Sequence, residues 1–220
     1  DLFIAMVCAI ACTTTETILD FNLVEGSINK LDSAYVIFQE QAYRFPLDAQ
    51  GKGTLKMNIK EDGFAILVYG KLSTNIYLKQ GNTLKVIWDK EDWRGGKMQV
   101  VSDDGGINEY IRLNIEKSFK KATECSFTLE EDSFMDKVEQ TIRELSAGID
   151  STNFAPEIKD ILKASSKYEV LYWIYKYPRF HNFGKRMSQE EYLAFKRFNE
   201  YMFDKFEAHP EYLCLTAYRE

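Results

Sequence analysis

Four cysteines and two histidines are the residues of this chain best suited to chemistry, and their spacing decides what they can do. Cys8 and Cys12 lie in the opening run Asp1-Leu-Phe-Ile-Ala-Met-Val-Cys-Ala-Ile-Ala-Cys12, with Thr13-Thr14-Thr15-Glu16 directly behind. An apolar run of about eleven residues is too short for a helix across a bilayer of roughly 30 Å. Small residues ahead of a cysteine have instead the layout of an export signal and its cleavage site, which makes Cys12 a lipid-attachment residue. A buried N-terminal strand or helix is the alternative. Loss of the signal would remove Cys8 and leave Cys125 and Cys214. In an oxidising compartment these two form a candidate disulfide, whose long loop would restrict the unfolded chain. Two separate buried thiols is the other reading.

Other chemistries find less support. His181 and His209 have no second His, Cys or carboxylate at i+3 or i+4, so no metal site is expected, and no cofactor is implied. A serine nucleophile would want Gly-x-Ser-x-Gly, which does not occur. Gly95-Gly96 and Gly105-Gly106 lack the continuation of a phosphate loop and read as turns. Glu130-Glu131-Asp132 and Glu190-Glu191 could pair for hydrolysis, but both fall in predicted first helical turns, where acids complement the helix dipole. No catalytic residue is assigned. Trp88, Trp93 and Trp173 are the candidate contacts for a ligand or partner, because exposed indole rings bind sugars and peptides.

The formal net charge is −6, and the only basic pairs singled out, Lys120-Lys121 and Lys185-Arg186, are isolated. A general nucleic-acid binder needs clustered Lys and Arg, so that class is set aside. No apolar stretch reaches membrane-span length, and membrane contact would run through the N-terminus.

The elements that must position these residues fall into two sets, which makes the chain α+β. From about Phe21 to Val101 short strands recur with turns between them. Leu55, Met57 and Ile59 alternate with polar residues, as do Leu84, Val86 and Trp88. Segments 33–40 and 63–70 are more continuously apolar, as strands covered on both faces would be. Turn chemistry stands at Asp48-Ala-Gln-Gly51, Glu61-Asp62-Gly63, Gln80-Gly81-Asn82 and Arg94-Gly95-Gly96. With no helix-length insert, this pattern predicts an antiparallel sandwich or a barrel-like module.

The period then becomes helical. Ile107, Tyr110, Ile111, Asn114 and Ile115 follow Asp103-Asp104 as caps. Thr128-Leu-Glu-Glu131 has capping-box spacing ahead of Phe134, Val138, Ile142 and Leu145, with Gly148 near the stop. Pro156 opens a helix carrying Ile158, Ile161, Leu162, Tyr168, Leu171, Tyr172 and Tyr175, which Tyr177-Pro178 should end. Ser188-Gln-Glu-Glu191 opens another, facing inward with Tyr192, Phe195, Phe198 or Asn199, Met202 and Phe206. A last helix is expected from Glu211, and it carries no stop signal. The expected organisation is a signal at 1–12, a linker at 13–20, a β-module at 21–102 and a helical region at 103–220 that continues into something further. The lack of Met and of a basic stretch ahead of the signal carries the expectation of an upstream start.

The opening segment resembles a bacterial lipoprotein signal, departing from it at Ala9, where Leu is commoner. The rest resembles the N-terminal region of lipid-anchored, thioredoxin-like thiol:disulfide oxidoreductases of the Gram-negative envelope. The likeness rests on Leu47-Asp48-Ala-Gln-Gly51 before a strand and on Ile76-Tyr-Leu-Lys-Gln-Gly81-Asn82 before Leu84-Lys-Val-Ile-Trp-Asp89. It extends to Gly106-Ile-Asn108-Glu-Tyr110-Ile111 entering a helix and to Phe206-Glu-Ala-His209-Pro210. It covers about residues 16 to 215, and its motifs are loose. The resemblance implies a sandwich domain and a helical segment ahead of a thioredoxin domain, a cell-envelope location facing the periplasm or the surface, and client proteins as partners. The thioredoxin site itself, Cys-x-x-Cys at a helix N-terminus, is not in this chain, where Cys8 and Cys12 stand one residue too far apart. Two functions are therefore expected to compete: a non-catalytic portion of such an oxidoreductase, or a stand-alone surface lipoprotein module binding glycans or peptides.

Overall fold

Every second residue of Thr17–Val24 (β1) is buried, the signature of a strand with one face on a core. A computed structural model describes residues 16–24, 31–89, 98–181, 188–204 and 210–215. Eight strands come first among them, and each pairs according to its apolar face. β1, Lys52–Met57 (β4), Thr83–Asp89 (β7) and Gln99–Val101 (β8) form one sheet in the order β4-β1-β7-β8. Ser33–Phe38 (β2), Gln41–Pro46 (β3), Gly63–Tyr69 (β5) and Leu72–Leu78 (β6) form the other, ordered β3-β2-β5-β6. All pairs are antiparallel except β1 with β7, which run parallel from Ile18↔Thr83 to Val24↔Asp89. Leu19, Phe21, Leu55, Val86 and Trp88 of the first sheet meet Val36, Phe45, Leu67 and Ile76 of the second in one core. The α+β class and the sandwich expected from the strand pattern are what the fold contains.

β1 begins at Thr17, inside the segment expected to be a linker. The alternation of Thr17, Leu19, Phe21 and Leu23 already starts there, hidden by the Thr-rich stretch before it. The turns at Asp48–Gly51 and Gln80–Asn82 form as their residues require. Asp48 accepts hydrogen bonds from the Gln50 and Lys52 amides, and Gly51 and Gly81 take positive φ. Arg94-Gly95-Gly96 lies outside the described residues.

Six α-helices follow among the described residues: Ile107–Thr123 (α1), Glu131–Asp150 (α2), Pro156–Ile174 (α3), Tyr177–His181 (α4), Gln189–Leu193 (α5) and Lys196–Asp204 (α6). A 3-10 turn, Pro210–Cys214, replaces the start of the last helix expected from Glu211. Phe134, Val138 and Leu145 of α2 pack on Tyr168, Leu171 and Ile174 of α3. The Ser188 capping box is present, with Ser188 Oγ accepting from the Glu191 amide and Glu191 accepting from the Ser188 amide. The helix it opens breaks near Ala194, however, and leaves Tyr192 exposed rather than inward. Gly148 does not stop α2, which runs two residues further. Pro178 does not simply end α3; it sits in the first turn of α4, where a missing amide hydrogen costs nothing. The expected Thr128 capping box is absent: Thr128 bonds Ser126, and the Glu131 carboxylate accepts from the Phe198 amide of α6 at 2.8 Å. Glu131 thus caps a neighbouring helix instead of its own.

Candidate functional site: the junction of sandwich and helices

Strands β5 and β6 of the sheet β3-β2-β5-β6 are covered on both sides, whereas β2 leaves Tyr35 37% exposed, short of the cover that its apolar run predicts. Inward residues face the sandwich core, while Tyr77 and Phe64 on its outer face pack under Ile107, Ile111 and Ile115 of α1, with Ile149 and Leu162 behind them. This explains why 63–70 reads as continuously apolar. α1 is placed by its first turn. The N-cap position is taken by Gly106, not by either aspartate, but from two residues ahead Asp104 accepts from the Gly106 and Ile107 amides at 2.9 and 3.0 Å. Gly105 and Gly106 both take positive φ to turn the chain from β8 into the helix.

Asn108 then does what an adjoining strand would do for the open edge of β6. Its Oδ1 accepts from the Tyr77 amide at 2.8 Å and its Nδ2 donates to the Tyr77 carbonyl at 2.7 Å, while also donating to Asp104. An unpaired strand edge invites pairing with another chain, and here a side-chain amide and a helix close it. Two more buried polar contacts set the register of the layers: Asn75 Nδ2 donates to Ser165 Oγ at 3.3 Å, and Asn114 Nδ2 to Ser166 Oγ at 2.7 Å. Satisfied polar groups in an apolar seam permit few alternative alignments. At the far end of the same face the 3-10 turn reaches β5, leaving a cleft of ≈ 300 Å³ between Phe38, Phe64 and Leu213.

The sequence candidates fall differently. Trp88 is 0% exposed and packs edge-on to Phe21 in the sandwich core, so it is no surface contact; the alternation that revealed its strand also put it inside. Trp173 lies between helices, edge-on to Phe119 and stacked on Phe127 at 5.9 Å, with Lys176 over its ring at 5.1 Å. It is half-buried and packs against the helical core. Trp93 and the lipid-site candidate Cys12 lie outside the described residues, as does His209. His181 ends α4, with Nδ1 3.1 Å from the Phe127 carbonyl.

Cys125 and Cys214 are not bonded to each other, which corrects the candidate disulfide. Cys125 is buried among the helices near Thr141, and burial pushes its thiol above the usual range, opposite to what a redox nucleophile needs. Cys214 is half-buried in the 3-10 turn, its Sγ donating to the Glu211 carbonyl at 3.3 Å. Among the described residues no group of three or more His, Cys, Asp or Glu is arranged to hold a metal ion. No helix among them is long and apolar enough to cross a membrane. The junction through Asn108 was missed at the sequence level; its one signal was an Asn at the apolar face of an otherwise Ile-lined helix.

No family model and no curated protein matches the chain. One solved structure, a "putative cell adhesion protein" from Bacteroides ovatus, aligns with 41% of this chain and 44% of its own, at 10% identity and a TM-score of 0.24. At that score the likeness carries no argument about fold or function.

Proposed function

We propose that this chain is the non-catalytic N-terminal portion of a lipid-tethered, thioredoxin-like thiol:disulfide oxidoreductase of the cell envelope, a stiff body that orients a redox domain and recruits its clients. The observation that supports this reading best is the junction just described. A flexible linker would let two small domains tumble, whereas Ile107, Ile111 and Ile115 bury an apolar face against β6 and Asn108 fixes its register. A spacer that sets orientation has to be stiff in this way. The two described thiols add to it, since Cys125 and Cys214 are not paired with each other as a dithiol site would have them.

Three measurements test the proposal. Reading the gene past the codon for Glu220 is expected to reveal Trp-Cys-x-x-Cys within roughly one further domain's length; a stop codon without it overturns the redox assignment. Mass spectrometry of the protein extracted from native membranes is expected to find Cys12 acylated as the first residue. In an insulin-reduction assay the 220-residue chain is expected to give no turnover. Turnover would identify Cys125 or Cys214 as a working thiol.

A further inference from the structure

The cleft at the far end of the junction has an apolar floor and an acidic rim. Ile37 of β2, Phe64 of β5 and Leu213 of the 3-10 turn form the floor, with the core residue Phe38 at its edge. Its carboxylates come from three separate places in the chain: Glu40 at the β2–β3 turn, Glu61 and Asp62 ahead of β5, and Glu211 in the 3-10 turn. No Lys, Arg or His is among the described lining residues. The partners shown for two of the acids are neutral. Glu61 accepts from the Gln39 side chain at 2.6 Å and Asp62 from the Gln80 amide at 2.8 Å, so their negative charge stays on the rim.

The turn that presents Glu40 is unusual. Gln39 and Glu40 both take positive φ, +49° and +62°, as a two-residue type I′ hairpin turn requires. Such turns favour Asn-Gly, and two long side chains there hold a backbone that L-residues seldom adopt. The fold keeps that strain at the lip of the cleft.

We infer that this cleft docks a short polypeptide segment that carries a basic side chain beside an apolar one, the apolar group on the Ile37–Phe64–Leu213 floor and the cation among the rim carboxylates. Charge complementarity selects this occupant, because an apolar floor ringed by acids repels an acidic segment, offers a neutral polar one no charge to pair with, and surrounds a cation with oxygen. The inference deepens the recruiting role proposed above by naming what would be recruited.

The test uses the full chain and two dye-labelled tetrapeptides, Phe-Lys-Leu-Lys and Phe-Glu-Leu-Glu, followed by fluorescence anisotropy. The lysine peptide is expected to bind, more weakly as salt rises, and the glutamate peptide not to bind. Glu40→Lys is expected to weaken binding by roughly tenfold. The pair Gln39→Asn and Glu40→Gly supplies the favoured turn, so it is expected to raise the melting temperature while weakening binding by a similar factor, which separates loss of the site from loss of the fold. Alkylation of Cys214 by iodoacetamide is expected to slow when the lysine peptide is bound. Equal binding of the two peptides, or unchanged binding in both variants, overturns the inference. So does full displacement of the peptide by spermine with equal protection of Cys214, which would make this a site for small polyamines. Because no redox domain takes part, a negative result here leaves the tethered-oxidoreductase proposal standing, and a stop codon after Glu220 leaves peptide docking standing.

Discussion

Tyr177 lies flat on Phe134, with ring centroids 3.8 Å apart, and donates its hydroxyl to the Leu129 carbonyl at 2.8 Å. Burial, followed by the nearby Glu131 and Glu130, pushes its phenol from the ordinary 10 up to about 12, and burial beside Glu139 does the same for Tyr201. A folded pKa above the unfolded one means that the associated stability is complete below pH 10 and is lost as pH rises toward 12. Spectrophotometric titration should therefore show these two phenols ionising late, together with loss of helix signal. Tyr177→Phe should soften that alkaline transition while costing about 1 kcal/mol at neutral pH for the lost hydrogen bond. Trp173 offers a contrast. Its indole Nε1 is buried with no hydrogen-bond acceptor among the described residues, a condition that costs about 1–3 kcal/mol. Trp173→Phe should thus leave urea stability nearly unchanged, and Trp173→Ala, which empties the space between Phe119 and Phe127, should lower it by about 3–5 kcal/mol.

Among the elements, α1 carries the most consequence, because it closes the β6 edge and also packs on α3. Asn108→Ala would strip the Tyr77 amide and carbonyl of their partners at once, and about 2–4 kcal/mol of destabilisation is expected by urea denaturation. Asn108→Asp keeps the acceptor but sets a second buried carboxylate against Asp104 and the Tyr77 carbonyl, and should destabilise at least as much as Asn108→Ala. Helix existence was legible from spacing alone, since Ile107-Ile111-Ile115 and Phe134-Val138-Leu145 repeat at intervals only a helix lines up. Helix ends were less so. The Thr128-to-Glu131 spacing matched a capping box, yet Glu131 serves the Phe198 amide, and Arg197 beside it donates to Asp132, Asp136 and Glu139 across the same gap. A carboxylate's choice between its own helix and a neighbour is made by tertiary packing, which no local pattern encodes.

At the scale of the whole molecule the order is sheet, sheet, helices, with β5 and β6 apolar toward both neighbours. Sandwich and helices should consequently unfold in one transition, with circular dichroism and tryptophan fluorescence coincident on heating. Ile111→Asp, which puts an unpaired charge at a site 3% exposed, should split that transition into two. The layers were partly legible: the strand pattern gave the sandwich, and the unbroken apolar run at 63–70 hinted at a covering layer. The cleft was not, because Phe38, Phe64 and Leu213 meet only after the chain has gone through both sheets and all the described helices. The parallel pairing of β1 and β7 carries a mechanical consequence. β1 is the first strand among the described residues, and it is held along its length by β4 on one side and β7 on the other. A pull on that end, resisted from beyond β7, draws two parallel strands past each other in shear, so the rungs share the load instead of unzipping singly. A body anchored through its N-terminal side would in this way meet drag with its stiffest seam.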